Sequence, residues 1–254
     1  MTGGRINTSM NVRAGGEFNI SSGLVGFTGQ AFDGSYVRMT GGLIDQGFEV
    51  RSGAFMELRG GAVSRRFRAR AGSDLTLFGA DFKLNGLNLL PELAGSDISL
   101  TGDDVFTGTL EDGSAFIFSP QVDDVLLDVT FRTSLNTPLA DSRPIVVDTA
   151  DPVRPSGVRA EQTFTLRDGG ELPINFEAVD ATVNIEGGFL NNHSGFSRST
   201  VNISGGRVGA FSNAYKGTTI NLTGGEWGSF SDAHSGSIVN VIGGKLDSFF
   251  EANA

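Results

Sequence analysis

The sequence predicts an all-β fold, a right-handed parallel β-helix in which each coil takes about nineteen residues. Three observations lead to this prediction. Glycines and apolar residues recur with a period of nineteen, and glycines separate short runs in which polar and apolar residues alternate. The 254 residues include 37 glycines and 20 phenylalanines but no cysteine, so an apolar core has to hold the fold without disulfides. The right hand follows from the general preference of parallel connections.

The period is clearest in the glycines of the first third of the chain. One series runs Gly15, Gly34, Gly53 and Gly72, and a second runs Gly4, Gly23, Gly42 and Gly61. In the last third a tripeptide followed by one residue and Gly-Gly occurs four times: Val183-Asn184-Ile185, Val201-Asn202-Ile203, Ile220-Asn221-Leu222 and Val239-Asn240-Val241. Self-similarity at such a spacing indicates a solenoid. We therefore predict two blocks of coils, residues 1–82 and 159–254.

A single repeat predicts three short strands and three corners. In the repeat 217–230, Ile220 and Leu222 alternate with Asn221, which is typical of a strand with one buried face. Gly224-Gly225 then permits a corner with positive φ, and a second short strand follows. Stacking places equivalent residues of successive coils about 4.8 Å apart.

The phenylalanines are expected to fill the interior. The chain has 20 Phe but only 2 Tyr and 1 Trp, as expected where an interior aromatic ring has no partner for a hydroxyl group. We predict a core stack formed by Phe48 and Phe67 in the first block and by Phe211, Phe230 and Phe249 in the second. Stability then comes from repetition, because one coil alone buries too little apolar surface.

The middle of the chain breaks the period. Residues 85–131 contain nine Asp and Glu but no Lys or Arg. We predict an acidic β cap at 83–137 that covers the open edge of the preceding coil, as solenoids require. Residues 138–158 hold four of the seven prolines and are predicted to be an extended linker.

Neither end of the chain carries a predicted cap. Met1 falls at the repeat position of Ile20, and Ala254 falls one place before the next expected coil glycine. Joining the last coil to the first restores the period with about five residues missing. We therefore expect the open edges to dock, within one molecule or between neighbours, and docking between molecules extends into a filament.

Composition disfavours several classes of partner. The net charge of −10 disfavours nucleic acid and anionic membranes, because phosphate binding depends on neutralising cations. No run of eighteen apolar residues is present, so we expect no membrane insertion. The N-terminal residues are not a signal peptide, and we expect the chain to be a piece of a larger exported protein.

The repeat motif resembles that of the large secreted parallel β-helix proteins of environmental bacteria, particularly planctomycetes. The run Ser199-Thr-Val-Asn-Ile-Ser-Gly-Gly-Arg-Val-Gly-Ala-Phe211 carries this resemblance, and segments 75–86, 113–120 and 170–188 are similar to the same arrays. The likeness covers nearly the whole chain. It implies the fold and a repetitive extracellular or cell-surface role, and it transfers no catalytic residue.

An asparagine ladder is predicted on the outside of the second block. Alternation places Asn184, Asn202, Asn221 and Asn240 outward, between apolar neighbours that point inward. A row of amides could bind sugar hydroxyls or order water. Stacked amides also hydrogen-bond along the axis, as in cross-β ladders, and we favour this structural interpretation.

Asp103-Asp104 with Asp123-Asp124 forms the best carboxylate cluster in the chain. Polysaccharide lyases and hydrolases on β-helices need such clusters, often with calcium, together with a basic residue, and Arg132 or a stacked arginine could approach. The calcium-binding Gly-Gly-x-Gly-x-Asp repeat is missing, so the cluster is a weak Ca²⁺ candidate. We favour a solvated acidic cap surface without a catalytic or metal-binding role.

One basic cluster stands out: Arg65, Arg66, Arg68 and Arg70, with Arg51 one coil below Arg70. It could bind an acidic glycan or the acidic cap that follows it. Pairing within the chain is the simpler account.

We therefore predict a non-enzymatic structural, self-assembling or adhesive repeat unit that needs no cofactor. Its expected partner is itself, through end-to-end docking of open coils. The alternative is a β-helix that binds or cleaves a polysaccharide.

Overall fold

The computed structural model describes residues 1–7, 9–26, 28–64, 66–89, 97–122, 125–127, 129–150 and 154–253. They form two compact units, Met1–Leu139 and Ala140–Ala254. Stacked coils of about nineteen residues build a β-solenoid with parallel sheets, which confirms the predicted fold class. A single turn of 3-10 helix, Pro120–Val122, interrupts the β-structure of these ranges. None of the helical structure described is long and apolar enough to cross a membrane.

The described residues of the first unit form sixteen strands. They are β1 (Thr2–Ile6), β2 (Met10–Val12), β3 (Glu17–Ile20), β4 (Ser22–Val25), β5 (Gly29–Ala31), β6 (Tyr36–Ile44), β7 (Glu49–Val50), β8 (Phe55–Val63), β9 (Arg68–Ala69), β10 (Asp74–Leu84), β11 (Leu87–Asn88), β12 (Asp97–Ile98), β13 (Phe106–Leu110), β14 (Ala115–Phe118), β15 (Val125–Leu126) and β16 (Val129–Thr133). One parallel ladder runs β1-β4-β6-β8-β10, and a second runs β2-β5-β7-β9-β15. Strands β3 and β4 pair with the two halves of β6, so each long strand covers two sides of a coil.

Glycine corners hold these coils in register. Gly15 and Gly34 both have positive φ, +74° and +69°, which glycine adopts without strain. The amide of Gly15 donates to the carbonyl oxygen of Gly34 in the next coil at 2.8 Å, and Gly34 donates to Gly53 at 2.9 Å. The predicted glycine period therefore marks corners that hydrogen-bond from coil to coil.

Antiparallel strands interrupt the solenoid after β10. The second half of β10 pairs with β13, which forms a hairpin with β14, and β12 pairs with the outer edge of β16. The coil then resumes, because β15 is parallel to β9 and β16 is parallel to β10. The region predicted as a cap, 83–137, is therefore an inserted antiparallel region followed by further coil. Strand β12 pairs with the outer edge of β16, whereas β15 stays outermost in the second ladder among the described residues.

Seventeen strands are formed by the described part of the second unit. They are β17 (Ile145–Val147), β18 (Gly157–Val158), β19 (Thr163–Leu166), β20 (Glu171–Leu172), β21 (Glu177–Val179), β22 (Thr182–Ile185), β23 (Phe189–Leu190), β24 (Gly195–Ser197), β25 (Thr200–Ile203), β26 (Arg207–Val208), β27 (Asn213–Ala214), β28 (Thr219–Leu222), β29 (Glu226–Trp227), β30 (Asp232–Ala233), β31 (Ile238–Val241), β32 (Lys245–Leu246) and β33 (Glu251–Ala252). Three parallel sheets result, β17-β19-β22-β25-β28-β31, β18-β21-β24-β27-β30-β33 and β20-β23-β26-β29-β32. Each complete coil thus has the predicted three strands and three corners.

The extended linker predicted at 138–158 is only partly correct. Strands β17 and β18 lie inside it and pair with β19 and β21. Val147 is 1% exposed and belongs to the core of the second unit. The β-branched run at 145–147 packs as a coil strand, so the second block begins earlier than predicted.

The interior of the first unit contains the predicted pair Phe48 and Phe67. Both are buried, and their rings stack with centroids 6.2 Å apart. Phe67 stacks in turn on Phe118 of the inserted hairpin at 5.6 Å. Aromatic rings therefore join the coils to the insertion.

The inward position predicted for Phe211, Phe230 and Phe249 is wrong. These rings stack on one another, at 5.3 and 4.8 Å, but they are 36%, 47% and 69% exposed. Their φ angles are +59°, +56° and +59°, so each stands at a left-handed corner and its side chain leaves the coil. The next residue points inward instead, and at that position Ser212 and Ser231 are fully buried.

Candidate functional site

The asparagine ladder runs along one side of the second unit. The Nδ2 atom of Asn202 donates to Oδ1 of Asn184, Asn221 donates to Asn202, and Asn240 donates to Asn221, each at 2.9 Å. Asn240 is exposed and the other three are half-buried. Each inner amide gives one hydrogen bond and receives one, which supports the structural interpretation of the ladder.

Removing an inner member of this ladder should cost more than removing its end. Asn202→Ala breaks two hydrogen bonds, so we expect the free energy of unfolding to fall by about 2 kcal/mol. Asn240→Ala breaks one exposed bond and should cost about 1 kcal/mol or less. Urea denaturation followed by far-UV circular dichroism measures both, and equal losses would contradict the axial ladder.

An aromatic ladder stands at a corner of the same unit. The His193 ring stacks on Phe211 at 5.2 Å with an interplanar angle of 15°, and Phe230 and Phe249 continue the column. Exposure rises along the column to 69% at Phe249. Because the rings lie face to face, the column shows its ring edges to solvent, and the outer face of Phe249 lies at the end of the coils.

Asp103 and Asp104, the described part of the acidic cluster, form hydrogen bonds that hold a turn. Asp104 accepts hydrogen bonds from Nδ2 of Asn85 at 2.8 Å and from the amide of Thr101 at 2.9 Å. Partial burial raises the pKa of the Asp104 carboxyl group, but these hydrogen bonds outweigh it and hold that pKa below its usual value. Asp103 accepts from Nε2 of Gln121 at 3.0 Å. Both carboxylates are thus engaged within the insertion.

The other half of the cluster, Asp123 and Asp124, lies outside the described residues. Within the described ranges, no group of three His, Asp or Glu side chains is placed to hold a metal ion.

Arg59 of β8 anchors the inserted hairpin, a contact that the sequence did not reveal. Its Nη1 atom donates to Glu111 at 2.9 Å, its Nε atom donates to Glu57 at 2.9 Å, and its guanidinium carbon lies 3.5 Å from the ring centroid of Phe78. The neighbouring Asp112 accepts from the amide of Gly61 at 2.6 Å. A charged and a backbone contact thus fix the hairpin turn to the coil.

Stability of the first unit should depend on the ionisation of Glu111. Partial burial raises the pKa of this carboxyl group, but hydrogen bonds from Ser134 and Arg59 outweigh it and lower the pKa below its usual value. A lowered folded-state pKa means that the contact stabilises the fold above about pH 4.3 and that this contribution is lost as the pH falls further.

We expect Glu111→Gln to lower the thermal unfolding midpoint near pH 7 by roughly 2–4 °C, as for a loss of about 1 kcal/mol. Toward pH 3 the difference in unfolding midpoint between the variant and the parent should shrink, because Glu111 becomes protonated as the pH falls through its folded-state pKa. Calorimetry at both pH values measures the difference, and a gap of unchanged size at low pH would contradict an ionic contact.

The open coil edge of the second unit is defined by β31, β32 and β33. Each is the outermost strand of its sheet among the described residues. Val241 of β31 is 51% exposed, whereas Leu222 and Ile203, its partners in the two preceding coils, are fully buried. Val241 thus holds an interior position that no coil covers within the described ranges.

A second open coil edge is formed by β1 and β2 of the first unit, which are also outermost in their ladders. Met1, Ile6 and Met10 pack against the core there and remain partly exposed. The opposite end of the first unit carries the antiparallel strands β12 to β14.

Searches with the chain found no matching family model, no matching curated protein and no matching solved structure.

Proposed function

We propose that the protein is a non-enzymatic structural unit that stacks end to end through the open coil edges at β1–β2 and β31–β33. The exposed interior residue Val241 carries this proposal. In each of the four preceding coils, from β19 to β28, the residue at the same position is fully buried. At this edge the apolar interior is uncovered, and the backbone N–H and C=O groups of the outermost strands face no further strand. A further coil would cover both.

The occupant that fits the edge best is the first coil of a second copy. Both edges belong to coils of the same design, since Gly3-Gly4 of β1 and Gly243-Gly244 after β31 are equivalent corners of the nineteen-residue repeat. The outer strands at both edges belong to parallel ladders, so a second copy would extend them in the same direction. Contact between two different edges is heterologous and propagates into a filament.

An extracellular or cell-surface setting fits this proposal. The repeat motif resembles secreted β-helix arrays, and a chain with no cysteine needs neither reducing nor oxidising surroundings. A structural role fits the use of the described carboxylates, because Asp103, Asp104 and Glu111 are each hydrogen-bonded within the unit. Adhesion would then arise from many copies presented along one filament.

The test places a charge in the contact. Val241→Lys puts an ammonium group at the open interior position, and Ile238→Lys puts the same charge on an outward position of the same strand, where Ile238 is 57% exposed. Sedimentation velocity at increasing concentration should show growing particles for the parent and for Ile238→Lys, and a monomer for Val241→Lys.

Opposite-edge variants sharpen the result. Ile6→Lys blocks the first coil, so a mixture of Ile6→Lys and Val241→Lys retains one good edge of each kind and should stop at dimers. Circular dichroism checks that each variant keeps its β-structure. A parent chain that remains monomeric at all concentrations would overturn the proposal.

A further inference from the structure

A column of arginines flanks an aromatic ring at one corner of the first unit. Arg13, Phe32, Arg51 and Arg70 directly follow the register-paired strands β2, β5, β7 and β9. The guanidinium carbon of Arg13 lies 5.5 Å from the Phe32 ring centroid, and that of Arg51 lies 4.7 Å from it. We call these four residues the arginine ridge.

The ridge has more cations than nearby acceptors. Glu49 lies beside it and accepts from Nε of Arg70 at 3.1 Å, while Nε of Arg51 is 3.7 Å from the same oxygen, beyond a hydrogen bond. The Nε atoms of Arg51 and of the adjacent Arg68 are buried from solvent and lack a hydrogen-bond partner among the described residues. The side chains of Arg51 and Arg70 are nonetheless each 43% exposed, so part of each remains open to an external ligand.

The part of the chain that carries the ridge also has a positive net charge. Residues 1–84 carry ten Lys and Arg against seven Asp and Glu, a net charge of +3 within a chain of net charge −10. Glu111, a described acid of the insertion, pairs with Arg59. Arg59 lies on β8, which belongs to the ladder that does not carry the ridge. Asp33, which follows Phe32 in the sequence, is an exposed carboxylate beside the ridge.

We propose that the arginine ridge binds an anionic polysaccharide that lies along the solenoid axis. Ridge positions repeat once per coil at about 4.8 Å, and three of the four are arginines, so acid groups spaced along an extended glycan can meet Arg13, Arg51 and Arg70. The edge of Phe32 between Arg13 and Arg51 offers an apolar contact for a sugar ring. A nucleic acid fits less well, because its binding would need many more cations than this narrow column supplies.

The experiment titrates the full chain with four polymers at low salt, with binding followed by calorimetry. They are a carboxylated glycan (polygalacturonate), a sulfated glycan (dextran sulfate), a neutral glycan (dextran) and single-stranded DNA. We expect binding to at least one of the two anionic glycans, weaker at higher salt, and none to dextran. The preferred anionic glycan tells carboxylate from sulfate recognition.

The double variant Arg13→Gln/Arg51→Gln should weaken glycan binding about tenfold or more, since each charged contact is worth a large part of that factor. The control Arg167→Gln/Arg207→Gln removes the same charge from the second unit and should leave binding unchanged. Tighter binding to DNA than to either glycan, equal losses in both double variants, or no binding to either glycan would overturn the proposal. None of these outcomes depends on end-to-end stacking, which Val241→Lys tests separately.

Discussion

Trp227→Ala is expected to destabilise the second unit by about 3–5 kcal/mol, the cost of emptying a large aromatic site in a core. Trp227 is fully buried and meets Phe196 and Phe250 edge to face, with both ring centroids 6.0 Å away. It therefore bridges three coils, and its loss should open a cavity across all of them. Denaturant unfolding followed by far-UV circular dichroism measures the effect.

Trp227→Phe is the matched control, and it should change the free energy of unfolding by less than about 1 kcal/mol. The Nε1 atom of Trp227 is buried without a hydrogen-bond partner among the described residues, so phenylalanine removes an unsatisfied donor while keeping most of the volume. If the Phe and Ala variants lose the same stability, packing of this ring does not hold the coils together.

Gly225→Ala is expected to have the second large effect, about 3 kcal/mol or more. Gly225 has φ of +71°, and an added Cβ would lie 2.6 Å from the carbonyl oxygen of Gly205 in the preceding coil. A left-handed alanine costs about 1–2 kcal/mol, and the clash with backbone of the neighbouring coil adds about 1–3 kcal/mol. Thermal unfolding of the variant measures the sum.

Gly236→Ala separates the two costs within the same part of the molecule. Gly236 has φ of +79°, but its nearest neighbour is the Cγ atom of the flexible Lys216 side chain at 2.8 Å, which can move aside. This variant should lose only the conformational cost of about 1–2 kcal/mol. Equal destabilisation of both variants would show that close coil contact at the Gly-Gly corner contributes nothing.

The period and the alternation of residues were enough to predict the coils. The glycine series, the three strands per repeat and the outward asparagines all lie where the sequence placed them, because these features depend only on local periodicity. The phase of the aromatic residues at a corner was not predictable in this way. Phe230 and Ser231 differ by one position, and a left-handed corner, which reverses the usual alternation, decides which of the two points inward.

The insertion was visible in the sequence only as a break in the period. Its acidic composition suggested a cap, but the return of the coil at Val125 depends on pairing with Arg68, fifty-seven residues earlier. The contact between Arg59 and Glu111 spans a similar distance along the chain. Such contacts follow from the tertiary path, and no local pattern of residues encodes them.

The same limit applies to the arginine ridge. The sequence showed Arg68 and Arg70 as part of a run, and it placed Arg51 one coil below. It did not show that Arg13 and Arg51 lie on the two sides of Phe32, because this arrangement needs the register of three coils. Composition thus indicated a basic region, and stacking gave it a direction along the axis.

Electron microscopy of the negatively stained chain at increasing concentration tests the proposed end-to-end stacking most directly. The open coil edges at β1–β2 and β31–β33 predict unbranched particles of constant width whose length grows with concentration. Val241→Lys should shorten them to single particles, while Ile238→Lys should leave them long. Isolated particles of one size at every concentration, in the parent chain as in Val241→Lys, would contradict the account.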